Sequence, residues 1–296
     1  MNPLLLTLSL LASPGPAGTV APFDASSRKP QLLLPDGAAA PREPKRIVSL
    51  APVVTETLFL LGRGENVVGV TRYCDTPAAA QALPKVGGYV DVSLERVLAL
   101  RPDLVIAMPS LGQRELLERL RGAGIPVLAG FGDSLREVHE LVRALGDVTG
   151  SAARASTMLD ELDGALARFA KARPGTGAGR VLAVVGVEPV VVAGPGTFIA
   201  EILTAGGAAS AVEPGAPQWP TWPLERLSRR HVDLILVAAG PDTERALTRV
   251  LESSLPAAQR PRVVGAPTPL LMRPGPSIAR DLETLTRLLA PPGGPP

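Results

Sequence analysis

Two glutamates, Glu95 and Glu225, occupy matching local sequences in the two halves of a 296-residue chain. The first lies in Leu94-Glu95-Arg96-Val97, and eight residues after the acid comes Asp103-Leu104-Val105-Ile106. The second lies in Leu224-Glu225-Arg226-Leu227, and eight residues after it comes Asp233-Leu234-Ile235-Leu236. Each copy reads as a helix opened by an acid, a loop and a buried strand, so the chain is built as two related halves. The helix dipole favours an acid in the first turn by ~0.3–1 kcal/mol. On these grounds alone the two acids fit equally well as plain helix-start residues or as one carboxylate shown by each half to a symmetric basic partner, held by charge-assisted hydrogen bonds.

Other chemistry is sparse. Cys74 is the single cysteine, which rules out an intramolecular disulfide. His139 and His231 are far apart in sequence, so a His-rich metal site is not expected. No phosphate loop and no Gly-x-Ser-x-Gly elbow is present; Gly194-Pro195-Gly196 comes nearest to a dinucleotide turn, and its proline and spacing spoil it. An enzyme is therefore the weaker reading. Lys and Arg number 30 against 28 Asp and Glu, scattered rather than blocked, so no nucleic-acid surface is expected. Aromatic residues make up only 3% of the chain, which makes Tyr73, Tyr89, Trp219 and Trp222 informative wherever they fall.

The elements that must position these residues follow a strand–helix rhythm. Residues 46–50, 67–70, 104–107 and 127–129 are short apolar runs suited to buried parallel strands. Helices are expected at 55–61, 94–100 and 114–121. The rhythm breaks at Ser134, which with Glu137 forms a capping box. A second helical stretch, 151–173, carries Met158, Leu159, Leu162, Leu166 and Phe169 on one face. At ~1.5 Å per residue it is about 30 Å long, a rod able to span two lobes. The rhythm resumes with strands at 180–185 and 234–237 and helices at 197–205, 224–230 and 278–289. The expected organisation is a signal peptide over 1–18, a flexible Pro/Ala-rich leader over 19–44, an α/β lobe over 45–133, linking helices over 134–173, a second α/β lobe over 174–290 and a frayed tail over 291–296. No cysteine lies near the N-terminal apolar run, so a lipid anchor there is not expected.

Arg46-Ile47-Val48-Ser49-Leu50-Ala51-Pro52 with Thr55-Glu56, Val68-Gly69-Val70-Thr71-Arg72-Tyr73-Cys74-Asp75-Thr76-Pro77, Val86-Gly87-Gly88-Tyr89, and Ser93-Leu94-Glu95-Arg96 with Pro102-Asp103-Leu104-Val105 resemble the periplasmic binding proteins of vitamin B12 importers. The wider group also binds siderophores and haem. The resemblance runs over about 45–290. It implies a class III binding-protein fold, two α/β lobes with mainly parallel sheets joined by one long rigid helix, with a corrinoid held between the lobes. It also implies delivery to an ABC-importer permease dimer with its ATPase, through Glu95 and Glu225.

The same resemblance assigns Tyr73, Tyr89, Trp219 and Trp222 to the cleft, where flat rings suit a large flat ligand. Each also fits as a core or rim aromatic. Arg273, in Leu271-Met272-Arg273-Pro274-Gly275-Pro276, resembles a loop residue that holds ligand side groups, or equally an exposed rim arginine. Thr268, Pro269 and Leu270 stand where B12 binders often have an Asp, which weakens polar contacts on that side. Cys74 reads as an inert small residue, with a thiol ligand to cobalt as the remote alternative. The protein is expected to be an exported periplasmic monomer with no resident cofactor, the corrinoid being cargo. The rival ligand is haem, through the Tyr73 phenolate, or a ferric siderophore.

Overall fold

The computed structural model describes residues 23–24, 26–109, 114–223, 226, 231–238, 241–266 and 271–290. The expected signal segment, the C-terminal tail and, apart from Arg226, the expected helix over 224–230 lie outside the described residues.

The first lobe is a five-stranded sheet in the order β1-β5-β4-β2-β3. Its parallel strands are β2 (Ile47–Ser49), β3 (Val67–Val70), β4 (Leu104–Ala107) and β5 (Val127–Ala129). Every residue of β2, β4 and β5 is buried, as expected of parallel strands covered on both faces. Helices α1 (Pro52–Leu60), α2 (Ala78–Gln81), α3 (Leu94–Ala99) and α4 (Arg114–Gly122) make the crossovers.

The expected flexible leader needs correction. Within it Gln31–Leu33 forms β1, antiparallel to β5, and covers that edge of the sheet. Phe23 is buried and stacks on Phe131, with ring centroids 6.0 Å apart. Arg28 lies over the Phe131 ring and ion-pairs with Asp133 and Glu137. A three-residue edge strand among prolines and alanines is too short to show a period, so the pattern could not reveal it.

Two helices link the lobes. α5 (Leu135–Val148) opens with the full capping box of Ser134 and Glu137. α6 (Ala152–Ala172) buries Ala155, Leu159, Leu162, Ala165 and Phe169 along one stripe and packs on α5 and on two helices of the second lobe, α7 (Phe198–Ala205) and the last helix. Gly146 of α5 lets the two linking helices meet closely: a Cβ there would lie 2.6 Å from Cβ of Ala155.

In the second lobe β6 (Arg180–Val187) pairs antiparallel with β7 (Val190–Val192), and parallel with both β8 (Ala209–Ser210) and β9 (Leu234–Val237). Helix α8 (Pro241–Ser254), strand β10 (Arg262–Gly265) and helix α9 (Ile278–Leu289) complete it, and β10 extends the sheet beyond β9.

The internal repeat acquires a structural meaning here. Asp103 accepts the main-chain N–H groups of Lys45 and Arg46 and returns its own N–H to the Arg46 carbonyl. Asp233 accepts the Arg180 N–H and returns its own to the Arg180 carbonyl. Each aspartate thus ties down the entry to its lobe's first parallel strand.

Candidate functional site

The loops that leave β3, β4 and β5 at their carboxyl ends carry Arg72 to Thr76, Met108 and Asp133 to one edge of the first sheet. In parallel sheets this edge is where side chains are free to meet a ligand, because the strand ends are covered only by loops. Opposite it, the second lobe brings Trp219 and the loop containing Arg273. Trp219 donates its indole N–H to Asp133 at 3.1 Å, and the Phe198 N–H donates to the Asp133 carbonyl at 2.6 Å. Arg273 donates to Asp75 at 2.6 Å and to Thr76 Oγ1 at 2.9 Å. Leu135 N–H donates to Glu201 at 2.8 Å, which ties α5 to α7. A Cβ added to Gly132 would meet both Met108 and Pro274, so the two lobes touch there.

Tyr73 and Tyr89 lie on this edge, 53% and 41% exposed. The Tyr89 hydroxyl donates to the Met108 carbonyl at 3.2 Å, which fixes the ring beside the end of β4. Trp219 is half-buried against the core that the lobes share, its N–H oriented by Asp133. Of the eight large apolar residues exposed among the described residues, four cluster in these loops: Tyr73, Tyr89, Val90 and Met272. Such a concentration marks a contact surface, since isolated exposed apolar residues are usually scattered.

Trp222 does not belong with them. It is fully buried in the second lobe's core, and the Arg226 guanidinium lies 4.6 Å from the ring centroid. The physical reason is strand alternation. Residues 217–222 run alongside β7, with Val192 N–H donating to Pro220, Gly194 N–H to Gln218 and Trp222 N–H to Val190. An odd separation of three residues then sends Trp219 and Trp222 to opposite faces. Trp222 is a packing residue.

The profile of the periplasmic binding protein family matches residues 47–269. The chain belongs to that family. A vitamin B12-binding protein of Pectobacterium carotovorum is 28% identical over 201 residues, 67% of this chain and 73% of that one. An uncharacterised ABC transporter substrate-binding lipoprotein of Bacillus subtilis is 29% identical over 257 residues, covering 84% and 81%. Among solved structures, a periplasmic haem-binding protein of Pseudomonas aeruginosa superposes with a TM-score of 0.72 at 27% identity, covering 86% of this chain and 95% of that one.

In this binding protein the charges at the cleft edge are paired. Burial alone would push the Asp75 carboxyl up, but the Arg273 hydrogen bond and charge, with Thr76, outweigh it and hold the pKa below the usual carboxylate range. Asp91 is held low chiefly by its hydrogen bond to Arg72, which also lies over the Tyr73 ring at 5.7 Å. Sequence reasoning missed Asp75, Asp91 and Asp133 as site residues. Asp75 stood in a quoted motif and Asp133 beside the capping box, but their partners are 198, 19 and 86 residues away.

Glu95 is exposed in the first turn of α3, behind the Ser93 cap. Glu225 lies outside the described residues, as do Thr268, Pro269 and Leu270. Cys74 is buried, with its sulfur 3.2 Å from Thr71 Oγ1, and so presents no thiol to the cleft. No cluster of metal ligands occurs among the described residues. A cavity of about 250 Å³ between α5 and α6, lined by Arg143, Asp147, Asp160 and Asp163, is remote from the lobe-facing loops.

Proposed function

We propose that this binding protein captures a corrinoid of the vitamin B12 type between its lobes and delivers it to an ABC-importer permease with its ATPase. The observation that carries most weight is the set of exposed aromatic and apolar residues, Tyr73, Tyr89, Val90 and Met272, in the lobe-facing loops of both lobes. A large flat macrocycle gains contact area from such rings at little conformational cost. The B12-binding name of the Pectobacterium relative points the same way. Tyr73, Tyr89 and Trp219 would face the ring and Arg273 its side groups, while Glu95 and Glu225 would dock the permease. The protein would act as an exported monomer; none of the described helices is long and apolar enough to cross a membrane.

Haem is the second reading, favoured by the Pseudomonas structure and by the half-exposed Tyr73 phenol, a competent iron ligand. Calorimetry of the full chain with cyanocobalamin, hemin and a ferric siderophore decides between them. Tight one-to-one binding of cyanocobalamin, weakened by Tyr73→Ala, is the expected result. Binding of hemin or the siderophore without cyanocobalamin would keep the importer role and overturn the corrinoid.

A further inference from the structure

Arg273, Arg72 and Arg28 stand at the cleft edge, and each is already engaged by a carboxylate. Arg273 is bound to Asp75, Arg72 to Asp91, and Arg28 to Asp133 and Glu137. Three guanidinium groups therefore face four carboxylates. Lys85 is spent on the carbonyls of Cys74 and Ala80. Asp75 and Asp91 are the more accessible members, with side chains 57% and 55% exposed; Asp75 lies two residues after Tyr73, and Asp91 holds the Arg72 guanidinium that lies over the Tyr73 ring.

We propose that Asp75 and Asp91 are selectivity residues: by occupying Arg273 and Arg72 they make the cleft accept tetrapyrroles rimmed with neutral carboxamides and reject those carrying free carboxylates. The inference rests on the tetrapyrrole reading above and specifies which member of that class fits. A ligand carboxylate that took the remaining Arg273 donors would find the guanidinium charge already neutralised and would sit beside the ionised Asp75 as a like charge. A carboxamide meets no such penalty. Its N–H groups donate to the aspartate, and its carbonyl accepts from a guanidinium N–H; Arg273 uses only two of its five donors on Asp75 and Thr76. The arrangement recognises the amide side chains of a corrinoid and disfavours the propionates of haem and the acidic groups of many ferric siderophores.

The test compares three ligands by calorimetry on the full chain: cyanocobalamin, a cobalamin with one propionamide hydrolysed to the acid, and hemin. Wild-type protein is expected to prefer the amide over the acid by about tenfold or more. In Asp75→Asn with Asp91→Asn, which keeps side-chain size, that ratio should fall toward unity and hemin binding should strengthen. Each single variant, checked for an unchanged melting curve, should move part of the way. An amide-to-acid ratio equal in wild type and double variant would overturn this inference while leaving the corrinoid reading intact. Failure of wild-type protein to bind either cobalamin would overturn the corrinoid reading and this inference with it.

Discussion

Trp219 and Asp133 join the two lobes through an indole N–H bonded to a carboxylate at 3.1 Å, and the Asp133 carbonyl receives the Phe198 N–H from α7. One residue at the end of β5 thus orients the cleft tryptophan and anchors the opposing lobe. Trp219→Phe keeps an aromatic face but removes the donor. A hydrogen bond to a charged group contributes ~1.5–3 kcal/mol when well buried, and with Asp133 about one-third exposed the expected loss is nearer ~1 kcal/mol. Urea denaturation measures it. Ligand affinity should fall further in Trp219→Ala than in Trp219→Phe, and equal losses would locate the role in the hydrogen bond instead of the ring.

Trp222→Ala empties the centre of the second lobe's core. The expected cost is ~3–5 kcal/mol, the range for a large aromatic truncated inside a packed interior. A thermal melt should show the loss, while affinity measured on the folded fraction stays near wild type. A large drop in affinity at unchanged stability would return Trp222 to the cleft.

Glu95→Ala combined with Glu225→Ala separates capture from delivery. Ligand affinity should be retained, and uptake by the reconstituted permease should be lost, because two carboxylates at matching positions would meet a two-fold basic surface. If affinity falls instead, the docking assignment is wrong.

Glu56 supplies a pH signature. It is 7% exposed on α1 and meets the second lobe through Ser277 at 3.4 Å and Arg280 at 3.8 Å. Burial pushes its carboxyl above the usual 4.5, against the opposing charges of Arg280 and Arg273. The folded protein therefore holds this proton more readily than the unfolded chain. The group's stabilising contribution is full below 4.5 and is lost as pH rises through the raised folded value. Asp75 runs the other way: its bridge contributes above 3.8 and is lost as pH falls through its depressed folded value. Glu56→Gln should flatten the first limb of the stability–pH curve and Asp75→Asn the second, read from urea midpoints from pH 7 down to about pH 2.

Much of the architecture was legible along the chain. Apolar runs such as Leu104–Ala107 have no polar residue to offer a solvent face, so they had to become strands buried on both sides. Ser134 and Glu137 marked the start of α5, and the stripe from Leu159 to Phe169 marked α6, because helical spacing is a local property written every three or four residues. The repeat around Glu95 and Glu225 announced two related lobes. The edge strand Gln31–Leu33 was not legible, since three residues carry no period and its partner β5 lies far along the chain.

The site divided in the same way. The resemblance assigned Tyr73 and Tyr89 to the cleft, and Tyr73 stands three residues past the end of β3. Which of Trp219 and Trp222 faces the other lobe depended on the pairing of 217–222 with β7, a contact no local pattern encodes. The partners of Arg273 and Trp219 were likewise set only when folding brought Asp75 and Asp133 beside them from across the chain. Periodicity and capping act between near neighbours and can be read in order; burial, ion pairing and the facing of two lobes arise between residues that are distant in sequence, so only the packed chain determines them.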